Sequence, residues 1–248
     1  MTKAEIQFVR SLADKRVRDE ERLFVAEGDK LIGEILQSGL RVRSLYAIEG
    51  HFEGRAECVT VKEMERLTQL KTASTSLAVV EQPRHRTPLA ASAERLSIAL
   101  DGVQNPGNLG TIIRLADWFG VEDIYCSEDT ADCFNPKVVQ ATMGAILRVK
   151  VHYLPLAEFL RRSAESGVAV YGTMLDGEDI YGAELRQSGL IVMGNEGRGV
   201  SAACAESFTH RLLIPAYPPE RQGSESLNVA MATGIVCAEF RRRARGVK

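Results

Sequence analysis

Three short stretches place glycines and polar side chains between an apolar run and a helical pattern, where a backbone can be turned toward a ligand. The first is Leu100-Asp-Gly-Val-Gln-Asn-Pro-Gly-Asn-Leu-Gly-Thr-Ile-Ile-Arg114. The second is Ile191-Val-Met-Gly-Asn-Glu-Gly-Arg-Gly-Val-Ser201, and the third runs from Leu212 through Ser224, Ser226 and Asn228 to Arg243. In the third, Ser226 precedes Leu227, Val229, Ala230, Ala232, Ile235, Val236 and Phe240, and this spacing predicts a helix opening at Ser226. The first turn of a helix offers unsatisfied N–H groups and the positive end of the dipole, so it accepts polar ligands; the same residues would also serve as a plain N-cap. The glycines permit positive φ and close approach of backbone to a ligand, or simply make turns. An ordinary dinucleotide site is excluded, because no G-x-G-x-x-G joins a strand to a helix: Gly194-Asn-Glu-Gly197-Arg-Gly199 has the wrong order. No phosphate-binding P-loop occurs either. The five cysteines are scattered without any CxxC and the four histidines are dispersed, which argues against a disulfide frame and against a metal centre.

The elements that must hold these loops alternate. Strands are predicted at 96–100, 121–126, 147–153, 168–171, 190–193 and 211–214, with helices at 109–119, from Asn135-Pro136 onward, and at 155–166. Strands alternating with helices imply a mainly parallel sheet covered on both faces, with ligands at the carboxyl ends of its strands. The loops 101–108, 194–200 and 215–225 each follow a strand and precede a helix, so all three open on one edge. Upstream lies a smaller α/β pattern: helices at 3–12, 29–38 and 62–70, and strands at 42–48, 58–61 and 77–80. Between the two patterns, Gln82-Pro-Arg-His-Arg-Thr-Pro88 has no apolar period and reads as an extended linker. The division is residues 1–82, a linker over 83–95, and 96–248, with the first part folding separately.

Composition narrows the class. With 45% hydrophobic and 26% charged residues the chain is an ordinary globular protein, no apolar run is long enough to span a bilayer, and the N-terminus lacks the apolar core of a signal peptide. A cytoplasmic protein without membrane contact is expected. A net charge of −2 speaks against general nucleic-acid binding, so any RNA contact must be local. Positive charge gathers at residues 10–22, where the acidic neighbours also suit a solvated helix face, and in Arg241, Arg242, Arg243, Arg245 and Lys248.

With Ser226-Leu-Asn228, the stretches at 100–114 and 191–201 resemble, in order and spacing, the three motifs of the SpoU (TrmH-like) branch of the SPOUT RNA methyltransferases. The resemblance covers roughly residues 96–243. A weaker one links residues 11–36 to the L30e-like substrate-binding domain that precedes the catalytic domain in many of these enzymes. It implies a trefoil-knotted, mainly parallel α/β domain, a homodimer through that domain, S-adenosyl-L-methionine as cofactor, no metal, and 2′-O-methylation of ribose in structured RNA, ribosomal more than transfer RNA. The knot comes from the resemblance alone, since the general rule is that folds are un-knotted.

Residue by residue, the resemblance assigns Asn108, Arg114, Glu196, Ser226 and Asn228 to catalysis, and Met193, Gly194, Gly199, Ile214, Ser226 and Leu227 to the cofactor. Arg114 is implied at the 2′-hydroxyl, as base or as a clamp on phosphate and developing oxyanion. A guanidinium titrating near ~13.8 favours the clamp. Without the resemblance, Arg114 would be a surface cation pairing with Asp117 one turn away. Glu196 would cap its own loop, or hold Asn108 or Arg198. One departure is visible: the loop between Pro215 and Ser226 is longer than the family pattern, with Pro218-Pro219 and Glu220-Arg221 in the extra length and Gly223 as the counterpart of the family's glycine. An RNA-binding or ribosome-assembly factor without turnover is the alternative. Neither the nucleotide modified nor the proton acceptor follows from the sequence.

Overall fold

The structure, a computed structural model, describes residues 1–218, 226–244 and 246. It comprises two compact units, Met1–Arg84 with Asp132–Leu147, and His85–Ala131 with Arg148–Lys248.

The first unit opens with helices α1 (Lys3–Ser11) and α2 (Lys15–Glu21), then strand β1 (Leu23–Glu27), helix α3 (Asp29–Ser38), strands β2 (Val42–Ala47) and β3 (Glu57–Cys58), helix α4 (Val61–Leu67) and strand β4 (Ser76–Glu81). The sheet order is β1-β4-β2-β3, with β4 antiparallel to both neighbours and β3 parallel to β2. Periodicity does not mark β1, and its burial explains why: all five residues are buried, so no polar alternation betrays it. Leu23 and Val25 pack with Val9, Leu12 and Leu67 on one side, while Phe24 and Ala26 pack with Ile32 and Ile35 on the other.

The second unit begins with β5 (Leu96–Asp101), α5 (Pro106–Trp118) and β6 (Asp123–Cys126). The chain then returns to the first unit for α6 (Pro136–Thr142), which contacts β1. Val139 joins the Phe24 side of that core, and the Phe134 ring lies 5.0 Å from that of Phe24. Arg18, 1% exposed, donates to Asp132 at 2.5 and 3.0 Å and to the carbonyls of Leu12 and Ala13 at 2.8 and 2.7 Å. A buried guanidinium needs that full set of acceptors.

β7 (Lys150–Tyr153), α7 (Leu156–Glu165), β8 (Val170–Asp179), β9 (Gly189–Gly194), α8 (Ala202–Ala205), β10 (His210–Leu213) and α9 (Val229–Ala244) complete the second unit. Its six strands run in the order β10-β8-β9-β5-β6-β7, every pair parallel. The carboxyl ends of β5, β6, β9 and β10 therefore share one edge. β8 is longer than the apolar run at 168–171 predicts, because its polar half, Thr173–Asp179, continues along β10 after a shift in register between Arg211 and Leu212. α9 packs on α5, with Gly234 against Leu115, and Arg241 donates to the carbonyls of Phe119 (2.7 Å) and Gly120 (3.0 Å) just past the end of α5. Arg242 and Arg243 both bind Glu239 at 2.7 Å, so the tail cations are engaged internally rather than free for RNA; Arg245 and Lys248 lie outside the described residues. Among the described residues, no helix is long and apolar enough to cross a membrane, and no group of three or more His, Cys, Asp or Glu could hold a metal ion.

Candidate functional site

The loop after β5 is closed by Asn105, whose side chain accepts from the N–H groups of Gly107 (2.8 Å) and Asn108 (3.2 Å) and caps α5, with Pro106 at its first position. α5 therefore starts three residues earlier than apolar spacing predicts, and Asn108 and Arg114 both lie on it. The Asn-Pro pair that locates α6 at 135–136 would locate this start too.

After β9, Asn195 and Gly199 exchange backbone hydrogen bonds at 2.9 and 3.0 Å, folding the loop over Gly194. A Cβ on Gly194 would lie 2.3 Å from the carbonyl carbon of Gly199 and 2.4 Å from the nitrogen of Val200, so only glycine fits. Gly199 itself has φ +69° and nothing within 4 Å of its Cβ position: the loop leaves open space there. The Asn195 Oδ1 accepts from the backbone amides of Gly197 and Arg198, and its Nδ2 donates to the carbonyl of Gly102 at 2.6 Å, joining the second loop to the first. Sequence reasoning misses Asn195, although Asn two residues before Gly is an Asx-turn signal.

At the third loop the observed N-cap is Asn228, not Ser226: its Oδ1 accepts from Ala230 N–H at 3.0 Å and Met231 N–H at 3.3 Å, and α9 begins at Val229. Side-chain hydrogen bonding outweighs the apolar count that placed the start at Leu227. Glu220, Arg221, Gly223 and Ser224 lie outside the described residues.

Asn108, Glu196 and Asn228 come together. Asn108 Nδ2 donates to Glu196 Oε1 at 2.8 Å, and Asn228 Nδ2 donates to Asn108 Oδ1 at 3.0 Å. The direction of this chain is forced. A carboxylate can only accept, and the helix N–H groups under Asn228 can only donate, so both amides between them have one possible orientation. Burial of Glu196 opposes its ionisation, but the hydrogen bond from Asn108 and the backbone amides of Glu196, Asn105 and Gln104 outweigh it and hold the carboxyl below its ordinary range. Arg198, the other candidate partner of Glu196, faces Asp129 at 3.6 Å instead. Asp129 belongs to the loop after β6, where Ser127 links its carboxylate (2.6 Å) to the amide of Gly102 (2.8 Å); no sequence signal marks it.

Arg114 is exposed on α5. Asp117, its expected partner, is taken by Arg148 at 2.8 to 3.0 Å, and no hydrogen bond or ion pair ties the Arg114 side chain to another described residue. The same is true of the Ser226 side chain, which is exposed beside Asn228. Of the cofactor candidates, Met193 is buried at the end of β9 with its sulfur 3.6 Å from the Thr173 hydroxyl, Ile214 is half-buried after β10, and Leu227 is exposed. Glycine backbone beside open space at Gly199, with apolar side chains at Ile214 and Leu227 on the third loop, suits a ligand with an apolar face and hydrogen-bonding edges. The Arg114 guanidinium on α5, unpaired among the described residues, suits an anion.

Residues 95–238 match the SpoU rRNA methylase family, and residues 3–85 match an MRM3-like substrate-binding domain. The 23S rRNA (guanosine(2553)-2′-O)-methyltransferase RlmP of Bacillus subtilis is 32% identical over 241 residues, 94% of each chain. Alignments to two further curated relatives span only 54% and 58% of those proteins. Among solved structures, a TrmH-family protein of Porphyromonas gingivalis superimposes with a TM-score of 0.86 at 38% identity, over 98% of this chain and 99% of that one. An AdoMet-bound rRNA methyltransferase of Sinorhizobium meliloti gives 0.84 at 30% identity, over 98% and 96%. With a family match across more than half its length and a relative aligned almost end to end, the chain belongs to the SpoU rRNA methylase family.

Proposed function

We propose that the protein transfers the methyl group of S-adenosyl-L-methionine to a ribose 2′-hydroxyl of ribosomal RNA. The observation that carries this reading is the directed chain Asn228–Asn108–Glu196, which ties three strand-end loops together on the helix that also carries Arg114, unpaired among the described residues. The activity and substrate of the Bacillus relative and the ligand of the Sinorhizobium structure support it.

S-adenosylmethionine supplies a methyl group already activated for transfer. The residues Met193, Gly194, Gly199, Ile214, Ser226 and Leu227 would hold it, the glycines by backbone and Ile214 and Leu227 by apolar contact. The acceptor is the harder partner, because a ribose hydroxyl is a poor nucleophile. Arg114 fixes a phosphate of the RNA and stabilises the hydroxyl oxygen as negative charge develops on it; the proton leaves late, to water. Glu196 orients Asn108, and Asn228 and Ser226 set the third loop against the acceptor.

Residues 1–82, completed by 132–147, act as the RNA-binding domain and the rest of 96–248 as the methyltransferase domain, joined by 83–95. We read the latter as trefoil-knotted, a reading supported by its non-sequential strand order and by the likeness to the family's structures. A homodimer through this domain is supported by Trp118, Leu227 and Met231, which are 83%, 52% and 63% exposed on or beside α5 and α9. A cytoplasmic location is supported by the ribosomal RNA substrates of the relatives.

The test is transfer of labelled methyl from S-adenosylmethionine to transcribed 23S rRNA, with the modified ribose located by its resistance to alkaline hydrolysis. Arg114→Ala should lower single-turnover transfer by about 10²–10³, with cofactor affinity and melting temperature unchanged. Arg114→Lys should stay impaired, since it keeps charge but loses the planar fork. Binding of RNA without any transfer by the wild type would identify a non-catalytic RNA binder instead.

A further inference from the structure

The first compact unit carries an open cleft of about 580 Å³ where the end of α2, the start of β2 and the end of β4 meet. Four arginines line it, Arg22, Arg41, Arg43 and Arg84, with Glu21 and Glu81 as the acidic residues of the lining. Four guanidinium groups against two carboxylates leave a surplus of two positive charges, in a chain whose net charge is −2.

The charge here is available in a way that other clusters are not. Lys15 and Arg16 pair with Asp19 and Glu20 along α2, Arg18 is buried on Asp132, and the α9 arginines bind Glu239 and the Phe119 and Gly120 carbonyls. In the cleft, no hydrogen bond or ion pair ties the side chain of Arg22 or Arg84 to another described residue. Arg41 reaches Glu81 at 3.5 Å and Arg43 reaches Glu21 at 3.3 Å, both across exposed, long contacts that contribute little. An incoming anion can take over these guanidinium groups at little cost.

The floor is fixed. Gln82 donates its side-chain amide to the carbonyls of Arg18 and Leu23 at 3.2 Å and its backbone amide to the carbonyl of Arg22 at 2.8 Å. Arg22 has φ 57° and closes α2 one residue before β1 begins; Arg43 lies over the Phe8 ring at 4.9 Å. All the cations are arginine, whose planar fork matches a phosphate's oxygens, and no aromatic side chain lines the cleft to stack a base.

We propose that this cleft grips the phosphodiester backbone of the RNA substrate, without reading its bases. The inference rests on the RNA reading above and adds a second anchoring site on the other compact unit. It supplies affinity that is independent of sequence and sensitive to salt.

The experiment uses the full chain and transcribed 23S rRNA. Arg22→Asn with Arg84→Ala removes two unpaired cations, with asparagine chosen because it tolerates the left-handed conformation at 22. The slope of log K against log[salt] should become shallower by about 1.4 to 1.8, at roughly 0.7 to 0.9 per phosphate lost. KM for RNA should rise while kcat and cofactor affinity stay at wild-type values. Arg22→Lys with Arg84→Lys should keep the salt slope but bind more weakly, having lost the forks. If the wild type binds and methylates rRNA but the Asn/Ala variant shows the same slope and KM, the cleft inference is overturned while the activity stands. If the wild type neither binds nor methylates rRNA, the reading beneath it fails. Adenosine monophosphate bound by the wild type and lost in the variant, with rRNA affinity unmoved, would make the cleft a mononucleotide site and overturn the inference.

Discussion

Replacing Asn228 by aspartate separates two jobs that the asparagine performs at once. Its Oδ1 caps α9 by accepting from Ala230 and Met231, while its Nδ2 donates to Asn108. Aspartate is as good an N-cap as asparagine, so the fold should be indifferent to Asn228→Asp, whereas Asn228→Ala should cost about 1 kcal/mol of stability. The hydrogen-bonded chain responds differently. The new carboxylate oxygen faces Asn108 Oδ1, acceptor against acceptor. Turning over the Asn108 amide only moves the mismatch to Glu196. A lost hydrogen bond costs about 1 kcal/mol and an unsatisfied partner about 1–3. Water can relieve part of this in the free protein but not once RNA covers the site. Single-turnover methyl transfer should therefore fall roughly 10- to 100-fold with an unchanged melting temperature. The decisive variant is the double, Glu196→Gln with Asn228→Asp, in which the chain can run backwards. The new side-chain amide at position 196 accepts from the backbone amides of Gln104 and Asn105 and donates to Asn108, and Asn108 in turn donates to the new carboxylate at position 228. The double-mutant cycle should show compensation, with the double faster than Asn228→Asp alone. Strictly additive losses, or a wild-type rate for Asn228→Asp, would refute the directed chain as an organising element.

Gly194→Ala should abolish cofactor binding in calorimetry, because its Cβ would meet backbone of Gly199 and Val200; Gly199→Ala puts its Cβ into the open space assigned to the cofactor and should weaken binding, besides lowering stability by the roughly 1–2 kcal/mol of a left-handed alanine. Asp132→Ala leaves the Arg18 guanidinium buried without its carboxylate and should cost about 3–5 kcal/mol in denaturant unfolding, much of it recovered when Arg18→Met is added. Glu239 is held at about 2 by hydrogen bonds from Arg242 and then Arg243. Its folded value lies below the unfolded one, so its contribution is complete above the ordinary glutamate range and is lost as pH falls through about 2. Glu239→Gln should flatten stability against pH over about pH 5 to 2, as followed by urea titrations.

Much of the site is legible because its loops announce themselves by residue type. Met193 and Gly194 sit where an apolar strand stops, and Asn108, Glu196 and Asn228 fall in three such loops, whose sharing of one edge follows from a parallel sheet. What escapes is set by side-chain hydrogen bonds that apolar spacing does not register. Asn105 and Asn228 cap their helices, so α5 starts before Leu109 and α9 after Leu227. The pairing of Asp117 with Arg148, which leaves Arg114 unengaged, joins residues far apart in sequence. β1 is hidden because a fully buried strand shows no polar alternation, and the Arg18–Asp132 pair because a buried cation looks, in sequence, like part of a charged helix face.

During synthesis, the Arg18–Asp132 pair delays completion of the N-terminal fold. When residue 84 leaves the ribosome, Phe24 lacks Phe134 and Val139, and Arg18 has no carboxylate. Both wait until β5, α5 and β6 have been made and residues 132–147 emerge. A nascent chain paused in that interval shows an apolar patch and a stranded cation, the features a chaperone engages. A genetic fusion that moved residues 1–84 alone onto another protein would carry the same defect permanently, so any graft of this unit must bring residues 132–147 with it.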